Sequence, residues 1–157
     1  WKLKDFQGKE IDRERYFLSL KDLDLSAHIG ELLAAGVSSL KIEGRLKDER
    51  YVKNVTAAYR LILDRLIGSG EGYRRSSSGE CRFGFEPDAA RSFNRGRTEY
   101  FLLNSRNRPG SIDTPKAIGQ EVGTVAEVGR NWFTLLSDVA ISNGDGLCCL
   151  DGEGSTA

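Results

Sequence analysis

Lys41, Glu43 and Arg45 are the residues whose types and spacing are best suited to chemistry. They lie near the end of a predicted strand, and α/β barrels place their active sites at the carboxyl ends of their strands. An inward lysine and glutamate could bind a carboxylate or phosphate group and act as an acid or a base. The same side chains could instead form a structural ion pair that closes the end of a barrel, and the sequence leaves both interpretations open.

A second set of residues could contact phosphate groups. Arg74 and Arg75 follow a tyrosine in a loop, and Arg95 and Arg97 belong to an arginine-rich stretch that also contains aromatic residues. Arginines interleaved with aromatic side chains are typical of surfaces that bind single-stranded nucleic acids. The same composition is as common in loops where it serves packing and solubility, so both interpretations remain.

The remaining reactive residues do not form a recognisable site. His28 is the only histidine, and no Glu or Cys stands at ligand spacing from it. The three cysteines are Cys81, Cys148 and Cys149; the last two are adjacent, which makes small core residues in a reducing compartment the better interpretation. We therefore predict no metal site in this chain.

The elements that must position Lys41 and Glu43 form two strand–helix units. Strands are predicted over 16–20 and 37–42, with helices running to about Ala35 and from Asp48 to about Ile67. Strands and helices that alternate with short connections are typical of parallel βαβ units. Two units are too few to close a sheet, so residues 1–68 are predicted to be the end of a larger α/β domain.

The second half of the chain changes character. Residues 69–82 are rich in Gly, Ser and Arg, as in a linker, and residues 83–112 form a connector with a short helix after Pro87. Residues 113–157 show alternating segments at 123–128 and 132–136 and a turn at 143–146, before a further apolar stretch at 147–150. Short strands at this spacing indicate a small barrel or sandwich.

Composition excludes some classes of protein. No apolar run reaches the roughly 18 residues that would indicate a membrane span. The 157 residues carry 23 basic and 23 acidic side chains, so the net charge indicates no particular partner. The sequence contains no methionine and begins at Trp1, from which we expect a piece of a longer protein or a processed product.

Several short motifs follow one another along the chain. They are Phe17-Leu-Ser19, Lys21-Asp-Leu23, Ser39-Leu-Lys-Ile-Glu-Gly-Arg45, Tyr51-Val52, Tyr59-Arg60 and Ser92-Phe-Asn-Arg-Gly96 with Thr98. Together they resemble the closing part of the catalytic domain of peptidase family U32, the collagenase-like proteases, and the region that follows it in longer members. The most specific is the Lys-Ile-Glu-Gly-Arg segment in its strand–turn–helix context.

The resemblance implies an α/β portion followed by a mostly β portion: the last βα units of an incomplete TIM-like barrel, a short helix, and a small, partial β-barrel-like accessory domain. In the family, a cysteine cluster upstream of the position of Trp1 is associated with an iron–sulfur centre. It is found in members that hydroxylate a pyrimidine of transfer or ribosomal RNA and require prephenate. None of the three cysteines here matches those positions, so we expect no cofactor in this chain and cluster ligands upstream of Trp1.

For function, the resemblance implies that the parent is a cytoplasmic bacterial enzyme that hydroxylates RNA. Lys41, Glu43 and Arg45 would line its pocket, and Arg74, Arg75, Arg95 and Arg97 would contact the RNA. The expected partners are the rest of the parent catalytic domain and RNA, with no membrane. The alternatives are a collagenase-like peptidase with a peptide substrate and a non-catalytic binding or assembly piece. The chain alone is expected to be inactive.

Overall fold

A computed structural model describes residues 1–12, 15–70, 72–103 and 108–149. The helices and strands, in chain order, are β1 (Leu3–Lys4), β2 (Glu10–Asp12), β3 (Asp22–Leu23), α1 (Ile29–Ala34), α2 (Glu49–Gly68), β4 (Arg97–Thr98), β5 (Thr124–Val128) and β6 (Phe133–Leu136). Within these described ranges the strands pair as three two-stranded sheets: β1 with β2 and β5 with β6 are antiparallel, and β3 with β4 is parallel. Among the described residues, no helix is long and apolar enough to cross a membrane.

The long helix α2 is the element that the sequence predicts most closely. Asp48 is its N-cap, and the Asp48 carboxylate accepts a hydrogen bond of 2.8 Å from the backbone N–H of Tyr51. Helix α2 ends at Gly68, one residue beyond the predicted end. It buries Val55 and Ala57 and passes close to α1, where a Cβ at Gly30 would lie 3.6 Å from Leu66. The apolar core of the described residues is therefore small and centred on these two helices.

The first helix ends where predicted. A single 3₁₀ turn over Ser26–His28 leads into α1, and the Asp24 carboxylate accepts from the backbone N–H of Ser26 at 3.0 Å. At the other end Gly36 adopts a φ of +94°, and the backbone N–H groups of Gly36 and Val37 bond to carbonyls of the last turn. This is a Schellman ending, in which glycine is the favoured left-handed residue.

The prediction of strands over 16–20 and 37–42 is wrong. The segment 16–20 begins with a turn, in which Ser19 N–H donates to the Tyr16 carbonyl, and Leu20 forms only an isolated bridge with Gly110. The segment 37–42 pairs with no strand in the described part of the chain, although Leu40 and Ile42 are half-buried as the alternation predicts. A strand requires a hydrogen-bonded neighbour, which a local pattern does not supply.

The parallel pair β3–β4 was not predicted. Its register places Asp22 opposite Arg97 and Leu23 opposite Thr98, which joins the N-terminal part to the segment after the linker. Strand β4 ends at Thr98, because a turn follows in which Leu102 N–H donates to the Glu99 carbonyl.

The rest of the chain contains a 3₁₀ turn and a hairpin among the described residues. Residues 69–82 contain no helix or strand among those described, and the short helix after Pro87 is one 3₁₀ turn over Ala89–Arg91. The hairpin β5–β6 is confirmed, and its turn leaves no room for a Cβ at Gly129, which would lie 2.3 Å from the Trp132 ring. The apolar stretch after the turn at 143–146 is not a strand up to Cys149; Leu150 lies outside the described residues.

Candidate functional site

Lys41 and Glu43 form an ion pair on the surface. Lys41 Nζ lies 2.7 Å from Glu43 Oε1, and the two side chains are 84% and 74% exposed. The bond to Glu43 raises the pKa of Lys41, so the lysine is held in its charged form. The structure thus brings these two predicted residues together but does not enclose them, and Arg45 is exposed beside them.

A tight turn fastens this segment to the start of α2. Lys47 N–H donates to the Gly44 carbonyl at 3.0 Å, and Leu46 occupies the left-handed region with a φ of +64°. The Tyr51 hydroxyl then donates to the Glu43 carbonyl at 3.2 Å. The backbone that carries the Lys41–Glu43 pair is therefore held against the first turn of the helix.

Next to this turn lies a groove of about 730 Å³. It runs between the first two turns of α2 and the segment from Phe85 to Phe93, and we call it the α2 groove. Its basic residues are Lys47, Arg50, Lys53 and Arg91, and its aromatic residues are Tyr51, Phe85 and Phe93. Asp48 and Glu86 are the acidic residues of its lining. The groove therefore combines an excess of cations with aromatic rings.

The cations of the α2 groove differ in their surroundings. Lys47 Nζ lies 3.0 Å from the centre of the Phe93 ring. Burial lowers the pKa of Lys47; the charge of Asp22 raises this pKa, and the charge of Arg95 lowers it. Lys53 pairs with Glu49 at 2.5 Å. Arg91 lies 3.6 Å from the Asp88 carboxylate, and Arg50 extends into solvent.

Asn54 closes the floor of the groove by joining α2 to the connector. Its side-chain amide donates to the Asp88 carbonyl and to the Ser92 hydroxyl, both at 2.6 Å. Its oxygen accepts from the backbone N–H of Asp88 at 2.8 Å. These three bonds fix the distance between the two walls.

Arg95 and Arg97, predicted as RNA contacts, pair with carboxylates in and next to strand β3. Arg95 lies 3.3 Å from Asp22, and Arg97 lies 2.8 Å from Asp24. Burial raises the pKa of Asp24, but hydrogen bonds from Ser26 and Tyr59 and the charge of Arg97 together bring it below its usual value. Burial and Asp24 raise the pKa of Tyr59 to about 12. Both arginines are thus linked to the β3–β4 pair.

Arg74 and Arg75 lie in a different place from Arg95 and Arg97. Arg75 donates to the Gly79 carbonyl at 2.6 Å and lies 3.9 Å from Asp64, near the C-terminal end of α2. Arg74 is exposed. The structure therefore does not bring the four predicted arginines into one cluster.

His28 stands between two glutamates. Its Nε2 lies 3.0 Å from Glu99 and its Nδ1 lies 3.3 Å from Glu31. These carboxylates raise the pKa of His28, Glu99 more than Glu31. The histidine joins the start of α1 to the turn after β4, which the sequence did not predict because Glu99 is distant along the chain.

The described residues offer no site for an iron–sulfur cluster. Cys81, Cys148 and Cys149 are all exposed, and Cys81 Sγ lies 3.8 Å from an Arg75 nitrogen. In the described ranges, no group of three or more His, Cys, Asp or Glu side chains could hold a metal ion. These cysteines do not provide the set of thiolates that such clusters need.

Sequence reasoning overlooked the residues on the helix side of the α2 groove. The stretch 45–53 contains Arg45, Lys47, Arg50 and Lys53 around a single tyrosine, a basic density that could have been noticed. Their convergence with Phe85 and Phe93 depends on the packing of the connector against α2, which no local pattern reveals.

The comparisons with known proteins agree on one family. The model of peptidase family U32 matches residues 2–111. The chain is 43% identical, over 92% of its length, to the 23S rRNA 5-hydroxycytidine synthase of Escherichia coli, of which it spans 22%. It is 46% identical over 31% of its length to the tRNA hydroxylation protein P of Helicobacter pylori, spanning 12% of that protein. It is 33% identical over 63% of its length to a collagenase of Porphyromonas gingivalis, spanning 26%.

The matches to individual relatives and the match to the family model differ in how much of each protein they cover. The chain spans about a quarter or less of the curated relatives named here, and no solved structure matches it. The family model, by contrast, covers more than half of the chain, including the motifs from Phe17 to Thr98. The chain belongs to peptidase family U32.

Proposed function

We propose that the protein to which this chain belongs hydroxylates a pyrimidine base of ribosomal or transfer RNA. The observation that carries this proposal is the identity of 43% over 92% of the chain to a 23S rRNA 5-hydroxycytidine synthase. A further relative is named for tRNA hydroxylation. The basic and aromatic lining of the α2 groove also suits a nucleic-acid substrate.

In this proposal Lys41, Glu43 and Arg45 line the pocket of the complete protein. The Lys41–Glu43 pair supplies a charged donor and acceptor 2.7 Å apart, which can orient the functional groups of a bound base. Arg74, Arg75, Arg95 and Arg97 remain predicted RNA contacts. Of these, Arg95 and Arg97 would share their charge with Asp22 and Asp24.

The proposal extends to the setting of the chain. The strand–helix part would complete a TIM-like barrel with the rest of the parent catalytic domain, and the β5–β6 hairpin would belong to a small accessory barrel. An iron–sulfur cluster in the complete protein would take its ligands from outside this chain. The protein would work in the cytoplasm, where its RNA substrates are made.

A peptidase is the second candidate, favoured by the 33% identity to a collagenase over 63% of the chain. The Lys41–Glu43 pair supplies a charged donor and acceptor that suit a peptide group as well as a base. The shorter and weaker match places this function second. A non-catalytic assembly role for the chain is the third.

The test uses the full-length protein with Glu43→Ala in cells that lack the native gene. We expect a hydroxyl-sized mass increment on one pyrimidine of ribosomal or transfer RNA with the native protein, and its loss with the variant. The matched control is Glu80→Ala, because Glu80 forms a similar exposed pair with Arg82 at 3.0 Å. If Glu43→Ala leaves the hydroxylation of RNA unchanged but abolishes the cleavage of gelatin, the protein is a peptidase instead.

A further inference from the structure

We propose that the α2 groove binds a single-stranded segment of the RNA substrate, with phosphates on its helix side and a base against Phe85. This inference rests on the proposed function, because it names the RNA-contacting surface of a protein that modifies RNA. It differs from the prediction made from the sequence, which placed the RNA on Arg74, Arg75, Arg95 and Arg97.

The end of the groove at the start of α2 favours an anion. The basic side chains of Lys53 and Arg91 pair with Glu49 and Asp88, and Asp48 already accepts the capping bond from Tyr51 N–H. The groove also lies at the N-terminal end of the 20-residue helix α2, where the helix dipole is positive. Arg50 extends into solvent from this end and is the cation best placed to meet a phosphate.

The aromatic residues distinguish an RNA strand from a simple anion. The Phe93 ring is occupied by Lys47 Nζ, 3.0 Å from its centre, so Phe93 is not the stacking surface. Phe85 is 47% exposed in the groove, and its ring contacts that of Phe83 edge-on, with centres 6.0 Å apart. A half-exposed ring that is supported by a second ring is suited to stack a base.

The size and position of the groove agree with this ligand. Its volume of about 730 Å³ lies within the roughly 300–1,000 Å³ that is usual for sites holding small-molecule-sized groups. Its wall includes Tyr51, whose hydroxyl bonds to the Glu43 carbonyl at 3.2 Å. A strand lying in the groove would therefore pass beside the Lys41–Glu43 pair that we propose for the pocket.

The direct test measures RNA binding by the full-length protein. Fluorescence anisotropy with a labelled single-stranded RNA of roughly 12 nucleotides gives the affinity at several salt concentrations. We expect Arg50→Glu to weaken binding and to reduce the slope of log affinity against log salt by about 0.7, the value for one phosphate contact on a single strand. We expect Phe85→Ala to weaken binding roughly 5-fold or more, with the slope unchanged.

Two variants serve as controls outside the groove. Arg65→Glu makes the same charge change on the exposed side of α2, about 22 Å along the helix from Arg50. Phe101→Ala removes an exposed ring that does not line the groove. Both should leave affinity and salt slope unchanged. Circular dichroism verifies that each variant folds. If Phe85→Ala fails to fold, the surface variant Arg50→Glu still tests whether the groove binds RNA.

The outcomes separate this inference from the proposed function. Arg50-dependent RNA binding by a protein that hydroxylates no RNA would overturn the function and support the groove. If the protein hydroxylates RNA, but Arg50→Glu changes neither the RNA affinity nor the salt slope, the proposed role of the groove is wrong and the proposed function stands. Loss of gelatin-peptide binding in Arg50→Glu, with RNA binding intact, would assign the groove to a peptide and also overturn the inference.

Discussion

Leu46 is held in a backbone conformation that few residues tolerate. Its φ of +64° lies in the left-handed region, which costs a non-glycine residue roughly 1–2 kcal/mol. The side chain is 96% exposed, so it contributes little packing in return. The left-handed position of this turn is Leu46 and not the nearby Gly44. The turn itself is confirmed.

The stability of variants at position 46 should therefore depend only on how well the new residue tolerates a positive φ. We expect Leu46→Gly to raise the free energy of unfolding by about 0.5–1 kcal/mol, after allowing for the greater freedom of glycine in the unfolded chain. Leu46→Val should lower it by about 1 kcal/mol, because a β-branched residue is least tolerant of positive φ. Urea unfolding measures both. Equal urea midpoints for the two variants would show that the backbone at Leu46 is not strained.

His28 gives the protein a dependence on pH. Glu99 and Glu31 raise its pKa above the ordinary 6.5, so the folded protein binds the proton more tightly than the unfolded chain does. The stabilisation is complete below about pH 6.5 and is lost as the pH rises through the raised pKa of the folded protein. We expect the urea midpoint to fall between pH 6 and pH 9, and expect His28→Gln to remove this part of the fall. The same decline in both proteins would exclude the role of His28.

At the level of elements, the sequence predicts what is decided locally. Helix α2 has a capping aspartate, an apolar face and a terminal glycine within its own residues, and its prediction is confirmed to within a residue or two. The β5–β6 hairpin likewise carries its own turn. The pairing of β3 with β4 joins residues more than 70 positions apart, and the α2 groove depends on a similar long-range contact. Such contacts leave no periodic signal.

The contact between α2 and the connector depends on Asn54. Replacing Asn54 by Ala removes three hydrogen bonds and leaves the Asp88 N–H without its side-chain acceptor, so we expect a loss of about 2 kcal/mol in the free energy of unfolding. Thr56→Ala is the control, an exposed polar residue on the same helix, and should stay within about 0.5 kcal/mol. A similar, small effect of both substitutions would show that the connector packs without this network.

For the molecule as a whole, the notable property is how little apolar surface the described residues bury. Ile29, Val55 and Ala57 are the buried apolar residues, whereas large side chains such as Phe6, Leu18 and Val128 are exposed. Because the chain spans only 22% of the Escherichia coli synthase that it resembles, we propose that the rest of the longer protein covers part of this surface. The β5–β6 hairpin is the clearest case, since every residue of β5 is exposed.

This proposal predicts different hydrogen exchange for the hairpin in two contexts. An isolated two-stranded hairpin is marginally stable in water, so the amides of Phe133–Leu136 should exchange rapidly in the 157-residue chain. Packing into an accessory barrel would slow them by roughly tenfold or more in the full-length protein. Peptides from the middle of α2 provide the reference, because Val55 and Ala57 are already buried here. Equally rapid exchange of the hairpin in both proteins would mean that it stands free, and would remove the accessory barrel from the proposed architecture.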